Sequence, residues 1–117
     1  MGAWDMSIFA EEANEEFLEE LGNLDEAEIV EAIRDACVLA AKQDSPSEEE
    51  YLNGLAAATV ASIWAGAPFS AGEVADAHPF LRELIGAGDE ELREVAGELL
   101  ENADTQEDLE VYLEALS

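Results

Sequence analysis

Basic residues are nearly missing from this chain. Arg34, Lys42, Arg82 and Arg93 stand against 30 acids among 117 residues, for a net charge of -26. Phosphate recognition relies on clustered lysine and arginine, so the expectation is no direct contact with nucleic acid. Anionic membrane surfaces are disfavoured for the same reason. Cys37 is the only cysteine, which excludes a disulfide within the chain. The only histidine is His78, too few for the repeated Glu-x-x-His motifs of a di-iron bundle. The longest apolar stretch, Leu55 to Ala67, falls short of the roughly 18 residues of a membrane span. The start of the sequence lacks the basic and apolar segments of a signal peptide. The expected location is therefore cytoplasmic.

What is present is enough apolar material for a core. Hydrophobic residues make up 49% of the chain, well above an acidic disordered tail. A chain of this length buries roughly two-thirds of its unfolded surface, which suits one domain over residues 1–117. No segment alternates at period two. The reading is all-α: a compact bundle of five to six helices, with an alanine-rich third helix at its centre.

Residues Met1–Phe9 read as irregular or extended, with Trp4, Ile8 and Phe9 packed onto the body. A first helix is predicted over Ala10–Leu21, with Ala13, Phe17, Leu18 and Leu21 on one face. Asp25 with Glu28 suggests a capping box for a second helix reaching Lys42. Its stripe is Ile29, Val30, Ile33, Cys37 and Ala40. Ser45 with Glu48, or Ser47 with Glu50, can cap the third helix, which runs to about Ala65. Residues Gly66–Pro79 are the least regular, with Ser70 and Glu73 able to cap one turn through Val74. Pro79 starts a short helix carrying Phe80, Leu81, Leu84 and Ile85, and Gly86-Ala87-Gly88 breaks it. Asp89 caps a helix built on Leu92, Val95, Ala96, Leu99 and Leu100. Asp104-Thr105 breaks the chain again before a last helix with Leu109, Tyr112, Leu113 and Leu116.

The acids match no standard metal geometry. No segment has the ligand spacing of a calcium loop. Glu73, Asp76 and His78 lie close in sequence, but their loose spacing fits a loop histidine better than a metal centre. Cys37, deep in an apolar stripe, reads as a buried structural thiol. There is no nucleophile elbow and no glycine-rich phosphate loop. Paired carboxylates have no specificity among 30 acids, so no catalytic, cofactor-binding or metal-ligating residue is assigned. Trp4 and Trp64 read as core or core-edge residues.

The one local excess is Glu11, Glu12, Glu15, Glu16, Glu19 and Glu20 on the first helix. Like charges at i,i+4 repel by a few tenths of a kcal/mol per pair, so this face is the candidate surface for a basic partner. Three functional classes follow. The first is a non-catalytic acidic interaction domain of the inhibitor, immunity or nucleic-acid-mimic type, binding a basic protein. The second is an acidic coat serving solvation in high salt, with no dedicated site. The third is an enzyme or metal-binding protein with a carboxylate-based site.

The opening Met1-Gly2-Ala3-Trp4, followed by Phe9 and Phe17, resembles the start of a bacterial family known as domain of unknown function 4259. The alanine-rich third helix and the closing Leu109–Leu116 segment are similar to it as well. Asp5 stands where that family usually has glycine, and Glu11-Glu12 where Asn-Asp is usual. The resemblance implies a bacterial, cytosolic, all-helical domain and carries over no activity. Gly2, Ala3, Trp4 and Phe9 are the residues it would single out.

Overall fold

A computed structural model describes residues 4–42, 47–67, 72–103 and 109–116. Among them are eight helices: α1 (Trp4–Phe9), α2 (Glu12–Leu21), α3 (Glu26–Lys42), α4 (Glu48–Trp64), α5 (Gly72–Ala77), α6 (Phe80–Glu83), α7 (Glu90–Glu101) and α8 (Glu110–Leu116). Five have seven residues or more, and the described residues form no strand. The count exceeds the expected five to six because α1 and α5, each of six residues, stand where irregular chain and at most one turn were expected; the four-residue α6 is the short helix expected at Pro79.

Capping chemistry sets several starts. The Ser47 hydroxyl accepts from the Glu50 N–H at 3.1 Å, and Glu50 Oε1 accepts from the Ser47 N–H at 2.9 Å. This reciprocal pair satisfies two of the donors that a helix start leaves unpaired. Glu28 Oε1 accepts from the Asp25 N–H at 3.1 Å before α3. Asp89 Oδ1 accepts from the Leu92 N–H at 2.9 Å before α7. The expected caps at Ser70 and Asp104-Thr105 lie outside the described residues, as do Ser45 and Pro46.

Every residue of α4 from Gly54 to Trp64 is buried. The helix packs against α1, α2, α3, α6, α7 and α8. Its alanines let neighbours approach closely. A Cβ built on Gly54 would lie 2.3 Å from the Ala40 Cβ and 3.3 Å from the Ala36 carbonyl oxygen, so the missing side chain sets the α3–α4 distance. At the other end of α4, the Trp64 indole N–H donates to the Phe80 carbonyl at 3.4 Å. The Trp64 carbonyl accepts from the Gly86 N–H at 2.7 Å, with Gly86 at φ 98°. Trp64 is thus core, as expected.

The start of the chain departs from the sequence reading. Residues Trp4–Phe9 are helical rather than extended. Trp4, Ile8 and Phe9 are buried, and the Trp4 indole N–H donates to the Thr59 hydroxyl at 2.8 Å. Thr59 in turn donates to the Leu55 carbonyl at 2.8 Å. A six-residue helix is too short to hold itself in water; packing on α4 and this relay of two buried hydrogen bonds hold it. The turn into α2 is fixed by Asn14, wholly buried, whose Nδ2 donates to the Ile8 carbonyl at 2.7 Å. That turn moves the start of α2 to Glu12, two residues past the expected Ala10.

Candidate functional site

The six glutamates of the first long helix are all exposed. Asn14, Leu18 and Leu21 form the buried stripe of α2, which turns the acids outward. They divide between different surroundings. Glu16, Glu19 and Glu20 line a shallow polar notch of about 380 Å³ with Asn23. Glu15 belongs instead to an apolar groove of about 500 Å³ between the α1–α2 corner and α5, with Met6, Phe9, Ala10, Gly72, Glu73 and Val74. Met6 is 49% exposed there. Glu11 precedes α2 as its N-cap residue without a side-chain capping bond, and Glu12 opens the helix. The structure therefore places five of the sequence-predicted residues on α2, with Glu11 at its N-cap, but gathers only Glu16, Glu19 and Glu20 around one depression.

The electrostatics of α2 are uneven along its length. Glu12 and Glu15 occupy its first turn, where the helix dipole favours negative charge. Glu19 and Glu20 sit in the last turn, where no basic residue offsets them and the dipole opposes them. The ion pairs Arg34–Asp89, Lys42–Glu98 and Arg82–Asp76 engage acids of other elements. Across the described residues every acid whose side chain is placed is exposed, apart from the half-buried Glu50. The charge is thus a coat over α2 to α8, with α2 as its densest strip.

The remaining candidates resolve into packing. Asp76 binds Arg82 at 2.6 Å, and the His78 ring stacks at a tilt on Phe80, with centroids 5.9 Å apart. Among the described residues no three His, Cys, Asp or Glu side chains are placed to hold one metal ion. Cys37 is fully buried, and burial pushes its thiol up to about 12. A thiol so disfavoured from ionising is a poor nucleophile. Asp89 is held below its ordinary value by the Leu92 N–H and then by the Arg34 guanidinium. No described helix is long and apolar enough to cross a membrane.

A family model described as "Domain of unknown function (DUF4259)" matches residues 2–116. The chain belongs to that family. No curated protein and no solved structure matches it. The DUF4259 match spans both the Trp4–Thr59 anchor and the α2 acids, so neither lies on an appended segment.

Two residues of this DUF4259 chain escaped the sequence reading. Asn14 was hidden inside the acidic run, although it is the only uncharged polar residue between Glu11 and Glu20. That singularity, together with its i,i+4 spacing to Leu18, was the available signal. Gly54 lies inside an otherwise strong helix, and a helix-interior glycine often marks a close approach.

Proposed function

We propose that this protein is a non-catalytic interaction domain that presents an acidic face to a basic protein, in the manner of an inhibitor, immunity protein or nucleic-acid mimic acting in the cytoplasm. The observation that carries this reading is the α2 strip: exposed glutamates flanked on one side by an apolar groove with a half-exposed methionine. Uncompensated charge steers a basic partner, while an adjoining apolar groove offers the desolvated contact that steering alone lacks. In this reading the alanine-rich α4 is the central frame that holds α2 against the body.

The test is a pair of charge-neutralised variants. One carries Glu→Gln at Glu11, Glu12, Glu15, Glu16, Glu19 and Glu20. The other carries six Glu→Gln changes at Glu26, Glu28, Glu31, Glu94, Glu98 and Glu101. A partner captured at low salt should be lost by the first and kept by the second. Equal loss from both would favour the second reading, a solvating coat, which the even exposure of acids over every long helix supports.

A further inference from the structure

One wall of the groove beside α2 belongs to α1. Met6 and Phe9 form it, with Ala10 in the turn that follows, and residues of α2 and α5 complete the lining. The groove therefore exists only while α1 is docked. Docking relies on two separate buried bonds. At the start of α1 the Trp4 indole reaches Thr59 on α4, and near its end the Ile8 carbonyl takes the Asn14 amide from α2. Neither bond lies within the helix, and a helix this short does not persist by itself.

The balance that holds α1 down is close. Burial of Trp4, Ile8 and Phe9 favours docking, while ordering six residues costs conformational entropy of the same order. The Asn14 bond carries a cost of its own, since Asn14 Oδ1 stays buried without a partner. Release of α1 strands no donor on α4, because the Thr59 hydroxyl already gives its proton to the Leu55 carbonyl. The remaining core does not hang on α1 either: α4 is also covered by α2, α3, α6, α7 and α8.

We infer that α1 is a strap, latched by Trp4–Thr59 and Asn14–Ile8 and hinged at Ala10–Glu11, that opens as a unit before the rest of the fold and dismantles the groove when it does. Its effect on docking rests on the acidic-interaction reading, in which a partner seated in the groove selects the closed strap. The test is hydrogen exchange of the full-length chain, free of partner, followed amide by amide by NMR through a urea series. The Ile8 and Phe9 amides should exchange about tenfold or more faster than the slowest amides of α4, with the shallower urea dependence of an opening that exposes little surface. Trp4→Phe keeps an aromatic ring and drops the indole donor; it should fold, and should speed Ile8 and Phe9 exchange roughly fivefold or more. Exchange of Ile8 and Phe9 at the α4 rate and with the α4 urea slope would overturn the strap, as would loss of the folded state in Trp4→Phe. Fast Ile8 and Phe9 exchange that Trp4→Phe leaves unchanged would overturn it too, because a frayed end needs no latch. A strap that opens as expected, in a chain whose α2 Glu→Gln variant keeps its captured partner, would sink the acidic-face reading and leave the strap standing.

Discussion

Burial raises the Cys37 thiol from 9.0 to about 12, and a shift of that kind is a statement about stability. The native state holds the proton that the unfolded chain releases near its ordinary value. The contribution is therefore fully present below about pH 9 and is lost as pH rises from there toward the folded value. Urea unfolding between pH 9 and 11 should show wild-type stability falling faster than that of Cys37→Ala, by up to about 1.4 kcal/mol per pH unit. Parallel slopes for the two chains would remove the thiol as the source. Asp89 carries the opposite sign. Its lowered pKa stabilises above the ordinary carboxylate range, and the effect is lost on acidification through the lower folded value. The position of Cys37 was legible because the residue lies on the i,i+4 stripe with Ile33. Asn14 was not, because burial of a lone amide depends on where the Ile8 carbonyl ends up, which no local pattern states.

At the scale of the helix, two glycines should respond in opposite directions to the same change. Alanine normally gains up to about 1 kcal/mol over glycine inside a helix. Gly97 on α7 has nothing within 4 Å of a built Cβ, so Gly97→Ala should raise stability by roughly 0.5–1 kcal/mol. Gly54 on α4 would drive a Cβ into Ala40, a side chain with no rotamer to yield. Gly54→Ala should instead cost about 1–3 kcal/mol, as overpacking does. Denaturant midpoints of the two variants would decide this; a stabilised Gly54→Ala would mean that α3 and α4 separate freely. The long helices were readable from caps and periodicity: Ser47 with Glu50, Asp25 with Glu28, and Asp89 each announced a start that the structure uses. The short α1 was not readable. Six residues hold one apolar i,i+4 pair, Trp4 and Ile8, and what makes them helical is tertiary: the Thr59 hydroxyl and the face of α4.

For the whole molecule, a net charge of -26 sits on a globule of about 30 × 30 × 28 Å. The Debye length falls from about 10 Å at 0.1 M salt to about 3 Å at 1 M, so repulsion across the molecule is largely screened by molar salt. The thermal midpoint should rise by several degrees between low-salt buffer and 1 M NaCl. A flat or falling midpoint would show that the acids are spaced widely enough not to strain the fold. Composition stated this charge outright, and the outward faces of the amphipathic helices placed it on the surface. What composition could not state is how the α2 acids divide between a polar notch and an apolar groove. That division arises from α5 arriving, from a distant part of the sequence, beside the α1–α2 corner.

The bond from Trp4 to Thr59 joins residues 55 apart in the sequence, and synthesis runs from the N-terminus. The indole therefore leaves the ribosome well before the hydroxyl that receives it exists. Until α4 is made, α1 lacks the Thr59 hydroxyl and the helix face it packs on, and it is too short to persist as a helix. Trp4, Ile8 and Phe9 are made before the face of α4 that buries them, with the Glu11–Glu20 run behind them as a nearby source of repulsion between nascent chains.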